Sequence, residues 1–171
     1  MALNALMKIS NASGETKVVG KYKKEKWLEI QGWDWEVEAE TSWTKGGGAS
    51  VGKPNPGKFT FEHYFDTASC TIMRYIFCGQ SFDKIELEML KGTGAAKGQQ
   101  VFFRMEMRDA FITKVANNAT DEGNVVQKVE LVFKEVTFGY KPQMDADSGK
   151  PAGSLGSETN VSWDIPAGKV K

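Results

Sequence analysis

The residue types that chemistry could use are densest between residues 44 and 58. Gly48-Ala49-Ser50-Val51-Gly52 satisfies G-x-S-x-G, the pattern of a hydrolase nucleophile elbow. Such an elbow needs a buried strand before it, a helix after it and a histidine base well downstream. Here a glycine run precedes, Pro54-Asn55-Pro56 follows, and the only histidine of the chain, His63, lies close behind in a predicted strand. Gly47 to Lys53 also fits the first positions of a P-loop, G-x-x-x-x-G-K, but Pro54 stands where Ser or Thr must hold magnesium. No helix follows whose N-terminus would receive phosphates. Gly92 to Gly98 has the wrong spacing for a dinucleotide fingerprint and reads as a hairpin loop.

Metal chemistry finds no better footing. One histidine and two cysteines, Cys70 and Cys78, do not make a zinc set, and no acidic loop has calcium-binding spacing. On one helix the two cysteines would stand about 12 Å apart, beyond the roughly 7 Å that a disulfide spans. Buried, reduced thiols are expected. The reading is a protein that is not an enzyme, with no catalytic residue, cofactor or metal.

The elements that must carry these residues are mostly strands. Period-two alternation marks half-buried strands at Leu3, Ala5, Met7 and Ile9, at Phe59 and Phe61, and at Ile85, Leu87 and Met89. It recurs at Phe103, Met105 and Met107, at Val129, Leu131 and Phe133, and at Val136, Phe138 and Tyr140. Trp33, Trp35, Val37 and Ala39 alternate with Asp34, Glu36, Glu38 and Glu40, predicting one strand with a buried tryptophan face and an acidic face. The count is about eight strands, which argues an antiparallel sandwich or barrel. One segment departs from this pattern. Over 68–78 the apolar residues Ile72, Tyr75 and Ile76 recur at helical spacing, with Asp66 or Thr67 to cap the start and Gly79 to stop the end. It is read as the single helix. Residues 44–58, rich in Gly and Pro, read as a long loop, and 142–171 as an extended Gly/Ser/Pro-rich tail in which Val161, Trp163 and Ile165 alternate like a short strand.

A chain of 171 residues suits one domain, 1–171. Lys plus Arg and Asp plus Glu both number 22, so the formal net charge is zero, without the basic surplus of a nucleic-acid binder. The local run Lys17, Lys21, Lys23, Lys24 and Lys26 reads as a solvated loop or salt-bridging rim. No stretch approaches the ~18 apolar residues of a membrane span, and no basic leader with an apolar core is visible at the N-terminus. A cytoplasmic start is expected, without membrane insertion.

Several pieces in order resemble the haemolysin-coregulated protein (Hcp) family of type VI secretion inner-tube proteins. They are Met7-Lys8-Ile9 followed by Gly14-Glu15-Thr16-Lys17, then Trp33-Asp34-Trp35, Val51-Gly52-Lys53, Phe59-Thr60-Phe61 and Tyr64-Phe65-Asp66. Asp66-Thr67-Ala68-Ser69 opens a helix ending at Cys78-Gly79, and Val129 to Phe133 and Tyr140-Lys141-Pro142-Gln143 continue the pattern. Cys70 departs from it, standing where many members place proline. The resemblance implies a mainly β fold, an antiparallel two-sheet β-barrel with one flanking α-helix. It implies a homo-oligomer of hexameric rings stacked into a tube, a spike protein at the tip, a contractile sheath and small effector proteins carried in the lumen. It also implies secretion without a signal peptide. Within that frame Asp34 and Glu36 are candidate lumen-facing residues. Lys45, Gly46, Gly47, Gly48, Val51 and Lys53 form a candidate ring-stacking loop. A phage-type tail tube protein and a monomeric ligand-binding β-barrel are the alternatives.

Overall fold

The alternating runs fold as antiparallel strands, and the chain is mainly β. The structure is a computed structural model that describes residues 4–44, 47–92, 98–145, 149 and 153–171. In chain order the elements begin with β1 (Ala5–Ile9), α1 (Lys21–Lys24), β2 (Leu28–Ile30), β3 (Gly32–Asp34), β4 (Val37–Thr44) and β5 (Gly48–Pro56). They continue with β6 (Phe59–Tyr64), α2 (Thr67–Cys78), β7 (Ser81–Gly92), β8 (Gln99–Ala119), β9 (Val125–Val132), β10 (Glu135–Tyr140), β11 (Thr159–Asp164) and β12 (Lys169–Val170).

The 21-residue strand β8 is the spine. Its first half pairs with β10, from Phe103 opposite Tyr140 to Arg108 opposite Glu135. Its second half pairs with β9, from Phe111 opposite Val132 to Ala119 opposite Val125. β7 lies along its other edge. From β10 the sheet runs on to β11 and β12, from β9 to β6 and β3, and from β7 to β1 and β2. The stretch that holds β2 and β3 joins these branches. β2 pairs with β1, β3 pairs with β6, and between them the Gln31 amide donates to the Glu62 carbonyl at 2.8 Å. The chain itself thus links the two branches, and strands of both contribute to one main core.

That core takes alternate residues from each strand, because successive side chains point to opposite faces. Met7, Ile30, Phe59, Phe61, Leu87, Met105, Met107, Val129 and Leu131 are all buried in it. Helix α2 adds Ala68 and Ile72, and Tyr75 stacks on Phe82 with ring centroids 4.0 Å apart. The helix starts and stops as its caps dictate. Asp66 accepts from the Ser69 amide while the Ser69 hydroxyl accepts from the Asp66 amide, a reciprocal box that satisfies otherwise orphan donors. Gly79 ends it with φ of 64°, a left-handed conformation that favours glycine.

The structure changes several expectations. Among the described residues twelve strands replace about eight, because 33–40 divides into β3 and β4 and because β2, β5 and β12 lie where no alternation was read. Residues 33–40 are not one strand: β3 ends at Asp34 and β4 starts at Val37. Trp33 and Trp35 are half-buried against the core rather than fully inside it. Residues 44–58 are not an irregular loop, since β5 occupies most of them and pairs with β4 in a separate two-stranded sheet. The tail holds β11 and β12, and Gln143 bridges to Leu155. Cys70 and Cys78 are free, as expected, yet exposed. Helix α2 turns Ala68, Ser69 and Ile72 inward, and its opposite stripe (Cys70, Arg74, Phe77 and Cys78) meets solvent. Leu3 and residues 93–97 of the β7–β8 turn lie outside the described residues.

α2 is also not the only helix. Within the lysine run, α1 folds across the outer face of β1 and β7, where Tyr22, Trp27, Leu6 and Leu90 make a second apolar cluster. The Tyr22 hydroxyl donates to Glu88 Oε2 at 2.7 Å, and Lys21 Nζ lies 2.7 Å from the same oxygen. Burial, reinforced by the Glu88 carboxylate, holds the Tyr22 phenol well above its ordinary pKa.

Candidate assembly surfaces

The described residues of the β4–β5 hairpin are almost all exposed. Along β5 every residue from Gly48 to Asn55 is exposed, and Val51 keeps 71% of its surface open to solvent. Glu38, Ala39, Glu40, Thr41 and Ser42 of β4 are exposed as well. A solitary two-stranded ribbon is marginally stable in water, so its root matters. There the Trp35 indole N–H donates to the Gly57 carbonyl at 3.1 Å, and the Gly57 amide donates to the Glu36 carbonyl at 2.9 Å. A Cβ on Gly57 would lie 3.0 Å from that Glu36 oxygen, a tight contact that favours glycine at this close approach. The Trp35 ring packs on Phe133 and Phe138 at 5.5 and 5.6 Å. Trp33 stacks between Phe59 and Phe103 at 5.9 and 5.5 Å. The two tryptophans thus anchor the hairpin to the core.

Of the residues singled out beforehand, Asp34 lies at the end of β3 opposite Thr60, and Glu36 lies at the hairpin root; both are exposed. Gly47, Gly48, Val51 and Lys53 lie on the hairpin and are exposed, with Gly48 opposite Thr44 and Val51 opposite Thr41. Lys45 and Gly46 lie outside the described residues. Beside the hairpin, a cleft of about 430 Å³ is lined by Glu40, Lys53, Pro54, Asn55, Pro56, Trp163 and Ile165.

The residues that looked catalytic are engaged elsewhere. Ser50 Oγ lies 2.6 Å from Ser42 Oγ on the solvent-exposed ribbon. His63 is buried in β6, its Nε2 2.9 Å from Gln127 Oε1. Gln127 Nε2 donates to Asn117 Oδ1 at 3.0 Å, which leaves its oxygen to accept from His63 Nε2. The unpartnered Nδ1 faces Asp66 Oδ1 at 3.9 Å. Burial raises the Asp66 carboxyl pKa, with His63 opposing the shift. This network ties the start of α2 to β9, which is a structural task. Among the described residues no helix is long and apolar enough to cross a membrane.

Sequence reasoning missed α1 and Glu88. Tyr22 and Trp27, set among lysines, were the available signal: two large aromatics in a charged run mark a face that is not wholly solvated.

The chain matches the family described as "Type VI secretion system effector, Hcp" over residues 6–140. No curated protein matches it by sequence. Among solved structures, one described as a type six secretion system protein is 24% identical with a TM-score of 0.84, covering 99% of this chain and 100% of that one. Hcp1 from Salmonella typhimurium is 23% identical with a TM-score of 0.76, each chain covered in full. A type VI secretion system effector from Yersinia pestis is 18% identical with a TM-score of 0.69, covering 94% of this chain and 99% of that one. These identities carry the fold, and the family match carries the membership: the chain belongs to the Hcp family of secreted type VI proteins, as a structural subunit of the secretion tube.

Proposed function

We propose that the chain forms hexameric rings, and that the β4–β5 hairpin stacks each ring on the next to build the inner tube of the type VI apparatus. A contractile sheath drives the tube outward with a spike protein at its tip. The subunit leaves the producing cytoplasm without a signal peptide, and it performs no catalysis of its own. Gly47, Gly48, Val51 and Lys53, with Lys45 and Gly46, make the stacking segment. Asp34 and Glu36 face the lumen, where carboxylates repeated around the ring give a polar wall along which small effectors slide.

The observation that carries this reading is the hairpin itself: a ribbon of paired strands, rooted through Trp35 and Gly57, with no residue of β5 buried. A monomeric protein gains little from such a ribbon, and an assembling one gains a contact.

The test is to replace residues 42–50 by a two-residue turn. Light scattering should still find rings, while electron microscopy should find no tubes. A shortened chain that unfolds would show that the ribbon belongs to the subunit core, and a parent chain that stays monomeric at all concentrations would end the ring reading.

A further inference from the structure

The hairpin needs a surface to rest on, and the charges of this chain offer one in which several unpaired lysines stand together. Glu38 and Glu40 of β4 are exposed, and neither makes an ion pair among the described residues. Their counterpart is the segment around α1. Its Lys17, Lys23, Lys24 and Lys26 are likewise exposed and without an ion pair among the described residues. The other charges of that segment are already matched, Lys21 by Glu88 at 2.7 Å and Glu25 by Lys8 at 2.8 Å. Each surface also exposes a valine: Val51 at 71% on the hairpin and Val19 at 79% beside α1.

The basic segment is held in shape. Tyr22 and Trp27 are buried beneath it and meet edge to face at 5.1 Å, and the Tyr22 hydroxyl is fixed on Glu88. A preorganised surface loses little entropy on docking. Rings that stack head to tail make a heterologous contact, in which two different patches of the same chain must complement each other.

We propose that the glutamate row of the β4–β5 hairpin docks on the lysine-bearing α1 segment of a second copy of this chain in the adjoining ring. This rests on the tube reading above and names the partner surface. The contact is electrostatic at its core, and so yields to salt as screening shortens from about 10 Å at 0.1 M to about 3 Å at 1 M.

Two charge-reversed chains test it: Glu38→Lys with Glu40→Lys, and Lys23→Glu with Lys24→Glu. All four side chains are exposed, so each variant should fold and form rings, checked by circular dichroism and ring mass. Each alone opposes like charges on stacking. The ring concentration needed for stacks, read by sedimentation velocity, should rise about a hundredfold or more. Mixed in equal amounts, the two variants complement each other in both directions and should stack as alternating rings. Either variant stacking like the parent, or a mixture that fails to stack, would overturn the proposal. Parent rings that stay single at low salt would overturn it too. A parent chain that never forms rings counts against the tube reading, and is seen before any variant is made. If reversal disturbs a ring, Glu38→Gln with Glu40→Gln should still weaken the salt dependence of stacking; an unchanged salt dependence would refute the docking.

Discussion

Two antiparallel pairs of this chain, β7 with β8 and β4 with β5, share the same kind of backbone pairing and end in opposite states. In the first, Ile85 and Leu87 lie opposite Met107 and Met105, and all four are fully buried. In the second, Val37 lies opposite Pro56 and Thr41 opposite Val51, with Val37 41% and Val51 71% exposed. Backbone pairing is satisfied in both. The difference is whether the apolar side of the ribbon meets another layer. β7 and β8 have β1, β10 and the core around them, whereas β4 and β5 pair only with each other. Backbone pairing therefore makes a strand, and only its neighbours decide whether that strand is buried.

Four substitutions sharpen this contrast, from the largest effect to the smallest. Phe59→Ala removes a fully buried ring that touches Trp33 and Phe61, and urea unfolding should show a loss of about 3–5 kcal/mol. A loss under about 1 kcal/mol would mean that the core is not packed around Phe59. Gln127→Leu leaves the His63 Nε2–H and the Asn117 oxygen without their partner. His63 is buried, so its unsatisfied N–H should cost about 1–3 kcal/mol in the same measurement, while the exposed Asn117 can turn to water.

Tyr22→Phe should cost about 1 kcal/mol at neutral pH through the lost hydrogen bond to Glu88. It also carries a pH signature. The folded-state phenol has a raised pKa, so its stabilising contribution is complete below the ordinary tyrosine value of about 10 and is lost as pH rises through the folded value. The parent should weaken above about pH 10 more steeply than the variant. Parallel curves of unfolding midpoint against pH would show that Tyr22 does not hold its proton in the fold.

Val51→Thr is the mildest change. On an exposed ribbon it should move stability by no more than about 0.5 kcal/mol, while raising the concentration at which rings associate. A large loss of stability would place Val51 in contact with the subunit body and erase the contrast between the two ribbons.

Much of this protein was legible in its residues because the causes are local. Asp66, Ser69 and Gly79 bracket α2 through bonds that span one helical turn. Met105 and Met107, or Val129 and Leu131, reveal their shared face by a spacing of two, which the pleat imposes. The failed motifs were legible too, since a proline at position 54 excludes a P-loop whatever the fold. Tertiary structure decided the rest, because burial is a relation between distant segments. Nothing near Cys70 or Cys78 in sequence says that their side of α2 lacks a neighbour, and nothing near Tyr22 announces Glu88 on β7. The bend at Trp35 and Glu36 arises where Gly57 comes back against the chain. That contact turned the glutamate-bearing strand away from the core and made a stretch of glycines and prolines into a paired, solvent-exposed ribbon. Composition named the flexible residues; their pairing depended on which strand lay alongside.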